Sequence, residues 1–413
     1  MKTKNLFSIF FCLALSLIFG VYPMAGQGFW TSLPSMPQPA GYMGSVVFEG
    51  KIYLFGGASP SYTIPSDKVY LFDPKDSTYA ALPDLPQPTI GAGAIEVGGK
   101  IYVMGGGMDV VGTYYYNTNY IFDPLSKTWE TGPAMPHPRG LFGMATMDGK
   151  IYIMGGTPGG STPTKLVDVY DTNTQTWAAG VNMPTARGFL ASAVLNNKIY
   201  VIGGTIDAFG IGLKTVEIFD PSTNVWALGK DLPTKRFAPA ATVFDGDLYV
   251  VGGSSLDAPF PFFTTVEKFD PENDLWFSET PMHTGRRAPA VMTLEDKIYV
   301  FGGMNSSPAG NILATDAVEA FCLTSAVPEP LAQGNVTVFP NPASERIVFQ
   351  FKEPASGQFT LNLPDGAVAF SEKLRGEMKF DFSISGLPAG VYYWIWRGEK
   401  EGGITTGKVM VLR

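Results

Sequence analysis

Four arginines share one register position of a repeating stretch. Arg139, Arg187, Arg236 and Arg286 each stand sixteen residues before the first glycine of a Gly-Gly pair, at Gly155, Gly203, Gly252 and Gly302. A guanidinium offers a fork of parallel N–H donors, so such a cluster can hold a carboxylate or a sulfate bidentately. Arginine at a repeated place can equally tie down backbone carbonyls between neighbouring units, and this second reading is the favoured one. The same position in the first two repeats holds Ala40 and Thr89, so an anion site built on these arginines lies off-centre.

Few other residues could do chemistry. The chain has two histidines, His137 in a Pro-His-Pro turn and His283 where other repeats carry proline, and both read as loop residues. Cys12 lies in an apolar N-terminal run, which leaves Cys322 as the one cysteine beyond it. Two histidines and one such cysteine lack the makings of a zinc or copper site, so no metal and no cofactor is expected. Asp73, Asp123, Asp171, Asp220 and Asp270 recur at one place, four of them before proline. That pattern starts a tight turn, because the carboxylate caps backbone N–H groups and proline presets φ. No nucleophile-elbow, zinc-helix or phosphate-loop signature is present.

A single motif must position these residues. It reads GKIYLFGG, GKIYVMGG, GKIYIMGG, NKIYVIGG, GDLYVVGG and DKIYVFGG, with first glycines at Gly56, Gly105, Gly155, Gly203, Gly252 and Gly302, hence 49, 50, 48, 49 and 50 residues apart. Apolar alternation with β-branched and aromatic residues predicts a strand, which the glycines end. Twenty-six residues before each first glycine stand Trp30, Tyr79, Trp129, Trp177, Trp226 and Trp276. The intervals from Gly-Gly to the turn residue are 17, 18, 16, 17 and 18, then 20 to Cys322, so length varies only between the second and third strands. Variation confined to one set of loops marks a binding face. These loops carry Tyr62, then Tyr114, Tyr115 and Tyr116, then Phe209, then Phe260, Phe262 and Phe263. Aromatics on wet loops suit sugar faces or protein hot spots, and the alternative is that they fold back over the rim.

Gly-Gly, a hydrophobic-Asp turn and then Trp at fixed spacing resembles the kelch repeat, over roughly residues 28 to 323. The resemblance implies a β-propeller with four strands per blade. After the sixth Gly-Gly comes a strand at 317–323 but no Trp-bearing one, so Phe29-Trp30-Thr31-Ser32-Leu33-Pro34 is expected to complete the sixth blade. The expected fold is all-β: a six-bladed propeller over 27–323 closed by the N-terminal strand, then a linker at 324–334 and a small β-sandwich at 335–413. Kelch enzymes resembling galactose oxidase need copper-ligating histidines and a Tyr–Cys crosslink that this chain cannot supply. For the kelch mutarotase type, no catalytic residue maps onto this sequence. The reading is therefore a non-catalytic binding module for a protein or a glycan, with a sugar-modifying enzyme as the alternative.

The ends suggest where it works. Lys2 and Lys4, an apolar run over 6–21 and small residues to Gly26 read as a secretory signal peptide over 1–26. A net charge of −8 and a pI near 5.0 argue against nucleic acid as a partner. No later stretch is long enough to span a membrane as a helix. VFPNPA at 338–343, LPAGVYYWIW at 387–396 and GKVMVLR at 407–413 resemble the type A C-terminal sorting domain of the type IX secretion system. That resemblance implies export to the cell surface or medium, with the type IX machinery and its sortase as partners beside an unknown extracellular protein or glycan.

Overall fold

The computed structural model describes residues 28–61, 63–110, 114–159, 162–207, 211–257, 261–307, 310–323, 336–339, 346–362, 368–384, 387, 390–398 and 404–411. The expected signal peptide at 1–26 and linker at 324–334 lie outside them. The chain divides into two compact units, one spanning Gln27–Thr324 and one containing Ser325–Arg413.

Among the described residues of the first unit, six four-stranded antiparallel sheets recur in order. The first comprises Gly44–Phe48, Lys51–Phe55, Val69–Asp73 and Thr78–Ala81. The sixth comprises Ala290–Leu294, Lys297–Phe301 and Val318–Leu323, with Gly28–Leu33 from the start of the chain as its fourth strand. That strand pairs antiparallel with Val318–Leu323 from Gly28↔Leu323 to Leu33↔Val318.

The second strands are apolar on both sides for a physical reason. Ile52, Leu54 and Phe55 are almost fully buried, as are their equivalents, because each sheet is covered by a neighbour on both faces. A separate hydrophobic cluster fills each space between consecutive sheets. A sixth cluster packs Ile52, Leu54 and Phe72 of the first sheet against Tyr299, Phe301 and Val318 of the last.

The repeated residues make the joints between sheets. Each outer-strand Trp donates its indole N–H to a carbonyl of the preceding repeat: Trp129 to Pro83, Trp177 to Pro133, Trp226 to Val181 and Trp276 to Lys230. The Tyr79 hydroxyl reaches Pro34 O in the same way, and Trp30 reaches Thr280 O at 2.8 Å. The second glycine of each pair donates to the carbonyl sixteen residues before the next pair, from Gly57→Thr89 O round to Gly303→Ala40 O. Glycine is required there: a Cβ on Gly57, at φ +97°, would stand 2.6 Å from Gly41 O. The turn aspartates accept backbone N–H groups two residues on, as Asp123 does from Leu125 at 2.9 Å. The Lys100 ammonium and these amides hold the Asp123 carboxyl well below its ordinary range, and the turn anchors it.

In the second unit, one five-stranded antiparallel sheet contains every described strand. The sequence reading expected a small β-sandwich of short strands over 335–413. Arg346–Asn362 instead runs continuously, its first half pairing with Val336–Phe339 and its second with Gly390–Gly398. Val368–Ser383 follows its other edge through register shifts at Gln350/Ala355, Ala355/Ser356 and Leu361/Asn362. A bulge lets one strand bend without ending, which period-two alternation does not reveal. Phe349, Phe359, Leu361, Trp394 and Val409 fill one shared core. Strand Ile404–Val411 lies at one end of the sheet. The motif segments at 340–343, 364–366 and 388–389 lie outside the described residues.

Candidate binding face of the repeat unit

Arg139, Arg187, Arg236 and Arg286 have no solvent exposure. Each faces a buried carboxylate on the third strand of its own sheet. Arg139 Nη1 lies 2.5 Å from Asp168, Arg187 Nη2 lies 2.6 Å from Glu217, Arg236 Nη2 lies 2.9 Å from Glu267, and Arg286 pairs with Glu319. The Arg187–Glu217 contact is an ion pair without hydrogen-bond alignment. Each guanidinium also donates to backbone carbonyls: Arg187 to Gly203 and Thr215, Arg236 to Gly252 and Arg286 to Gly302 and Ala317, while Arg139 reaches Ile153. Burial pushes each guanidinium pKa down, and the facing carboxylate restores part of it. These four arginines are sealed from solvent and leave the anion reading no exposed donor, and the carbonyls they fasten lie within each sheet and not between neighbouring units.

The carboxylates escaped the sequence reading, yet they left a signal. Asp168, Glu217, Glu267 and Glu319 each hold the second place of a third strand. The first two sheets have Tyr70 and Tyr120 there, and they are the two with Ala40 and Thr89 in place of arginine. Acid and base are present together or absent together, as a buried charge requires. Where both are absent in the second sheet, the Thr89 hydroxyl donates to Gly105 O at 3.3 Å. The histidines stand beside two of these pairs: His137 Nδ1 lies 3.0 Å from Asp168 and His283 Nδ1 lies 3.4 Å from Glu319.

The variable loops start beside the entry to the first strands. Isolated bridges join Gly41 to Ala58, Ile90 to Gly107, Gly140 to Thr157, Gly188 to Thr205, Phe237 to Ser254 and Arg287 to Met304. At this entry six residues of equal register form a circuit of backbone hydrogen bonds: Gly91→Tyr42, Leu141→Gly91, Phe189→Leu141, Ala238→Phe189, Ala288→Ala238 and Tyr42→Ala288. All six have positive φ, and Tyr42, Leu141 and Phe189 close over the axis with Phe237.

The loop aromatics split. Tyr114 is 61% exposed, whereas Tyr115 and Tyr116 are buried at 5% and 8%, as in the fold-back alternative and not as binding aromatics in water. Tyr115 lies against Gly140, where a Cβ would stand 2.7 Å from its ring, so a tyrosine fills the space that glycine leaves. Phe262 is half-buried at the entry, and Phe209 and Phe260 lie outside the described residues. Among the described residues of these loops, the large apolar side chains left exposed are mostly aliphatic. Ile64, Met108, Ile206, Ile211, Leu256 and Leu313, with Tyr114, are 37% to 61% exposed, and they come from the loops of five sheets. Their signal was visible as isolated large apolar residues in segments otherwise rich in Gly, Ser and Pro.

Comparisons with known proteins agree with this architecture. Residues 29–156 match the family described as the KLHDC2/KLHL20/DRC7 Kelch-repeats domain, and 138–184, 186–233 and 235–283 match the Kelch motif. A solved structure described as "Structure of YjhT" is similar in fold, with a TM-score of 0.60 at 18% identity, over 69% of this chain and 95% of that one. No curated protein matches. Among the described residues no helix is long and apolar enough to cross a membrane.

Proposed function

The chain is a kelch-repeat protein over residues 29–283, and from that premise we propose that its repeat unit is a non-catalytic binding module whose loop face docks a protein partner outside the cell. The observation that carries this is the crown of exposed aliphatic side chains from five sheets on one set of loops. Aliphatic surface of this kind is buried against a protein, whereas a sugar face calls for flat aromatic rings, of which Tyr114, at 61%, is the most exposed among the described residues of these loops. Met108→Ser, Ile206→Ser and Leu256→Ser combined should abolish crosslinking to the partner that the unaltered protein captures on intact cells. Leu125→Ser with Leu228→Ser removes residues that are more exposed, at 77% and 74%, but lie off these loops, and should leave capture intact. Equal capture by both variants would sink the reading.

Six sheets are the blades of one propeller, and Gly28–Leu33 closes it. Its support is that Gly303→Ala40 and Tyr42→Ala288 join the last repeat to the first, while Trp30→Thr280 ties the strand from the start of the chain to the fifth repeat.

Delivery is proposed to follow the two ends: a signal peptide at 1–26, then export through the type IX system directed by 335–413. The support is the sequence resemblance of 338–343, 387–396 and 407–413 to that sorting domain. Removing 335–413 should leave the protein in the periplasm, and cell fractionation with surface proteolysis checks it. Normal surface display of the truncated chain refutes this route.

A further inference from the structure

The four repeat arginines are each matched by a carboxylate, but a fifth stands beside them unmatched. Arg287 follows Arg286 at the entry to the sixth sheet, where its backbone exchanges hydrogen bonds with Met304 at 3.1 and 2.8 Å. Its guanidinium carbon lies 5.2 Å from the centroid of the Phe237 ring and 5.5 Å from that of Phe262. Two aromatic faces hold the cation by its charge and fix its plane. Among the described residues, no carboxylate comes within ion-pairing distance of it, and its Nε is buried without a hydrogen-bond partner. Tyr42 lies alongside: burial pushes its phenol pKa up, while the Arg287 charge and a hydrogen bond from it pull the other way. Tyr42 is a member of the axial circuit, and its N–H bonds to Ala288, the residue after Arg287. The cation therefore stands at the entry around which the exposed aliphatic loops begin.

We infer that Arg287 is the seat of a carboxylate carried on an apolar segment of the partner polypeptide. The inference rests on the protein-docking reading above and names the chemistry that docking requires at the axis. A positioned guanidinium with no carboxylate partner among the described residues favours a planar anion that accepts two parallel N–H bonds. One positive charge matches one negative charge, and the four neighbouring arginines are sealed in their own pairs, so a dianion finds no second cation among them. The aliphatic crown selects for apolar residues on either side of the carboxylate.

The test pans a random-peptide display library against the full chain and against Arg287→Gln in parallel. The unaltered chain is expected to enrich peptides with Asp or Glu flanked by Leu, Ile, Val, Phe or Met. A fluorescein-labelled copy of the best such peptide should bind Arg287→Gln about 10- to 100-fold more weakly, the size of one lost charge-assisted hydrogen bond. Arg287→Lys should fall between them, and added salt should weaken the peptide on the unaltered chain but not on Arg287→Gln. Should Arg287→Gln melt early, the Arg287→Lys affinity and its salt dependence decide alone. Peptides captured without acidic bias, or equally by both chains, overturn the carboxylate seat and leave protein docking standing. No peptide from either chain, with immobilised oligogalacturonate held by the unaltered chain and lost by Arg287→Gln, overturns the polypeptide reading in favour of an acidic glycan. Silence with both probes overturns both.

Discussion

Arg187→Met should cost the repeat unit about 3–5 kcal/mol, because it strands a carboxylate in a dry interior. Glu217 and Arg187 are both fully buried, and their contact of 2.6 Å is the ion pair through which the carboxylate charge is offset. The guanidinium also donates to Gly203 O at 3.1 Å and Thr215 O at 2.8 Å. Arg187→Met with Glu217→Leu removes both charges and should recover most of the loss, ending within about 2 kcal/mol of the unaltered protein. The residual reflects the Gly203 carbonyl losing its donor, since Thr215 O still accepts from Gly203 N–H. The first two sheets show that a neutral solution is compatible with the fold, since these two places hold Ala40 and Tyr70 in the first and Thr89 and Tyr120 in the second. Chemical-unfolding midpoints of the two single variants and the double variant would decide it. A double variant as unstable as the worse single one would mean that the pair does more than neutralise itself.

The strand pattern, the turns and the inter-sheet tryptophans were all legible, because each arises from a local rule repeated six times. Trp177 packs at a tilt against Tyr170, centroids 4.9 Å apart, just as Trp226 packs against Phe219 at 5.0 Å, and a fixed spacing announces both. The arginines were legible as a register but not as a site. Their role depends on what faces them, and Glu217 lies some thirty residues further along on another strand. Comparing the repeats column by column would have found the acids, since acid and arginine are present together or not at all. The loops were hardest, because there no repeat constrains the side chain. Tyr114 and Tyr115 are adjacent and identical, yet one is in water and the other fills the space above Gly140. Arg287 was hidden for a related reason: it sits beside a repeated arginine, and only the rings of Phe237 and Phe262 distinguish it. In the second unit the bulge between Gln350 and Ser356 hid a continuous strand.

Deleting Gly28–Leu33 should make the repeat unit aggregate instead of merely loosening. The strand supplies three things that nothing nearby replaces. It pairs along the whole of Val318–Leu323, so its loss leaves a six-residue hydrogen-bonding edge open to other chains. It brings Trp30, 6% exposed, which packs 5.2 Å from Phe321 and within the cluster that joins the fifth and sixth sheets. It also ties back to the fifth repeat, through Trp30 Nε1 to Thr280 O and the Thr280 hydroxyl to Gly28 O at 2.7 Å. Trp30→Ala alone should cost about 3–5 kcal/mol, the range for emptying a buried tryptophan site. It should nonetheless leave a soluble protein, since the backbone pairing survives. Gly28→Ala should also be destabilising, because a Cβ there would enter the Phe321 ring at 1.8 Å. Light scattering and thermal melting of the deletion beside Trp30→Ala separate the open edge from the lost side chain. If adding a peptide of residues 28–34 restores solubility to the deletion, the edge is the cause. A deletion that stays monomeric and melts with the unaltered chain would mean that the sixth sheet stands on three strands and that the chain ends need not meet.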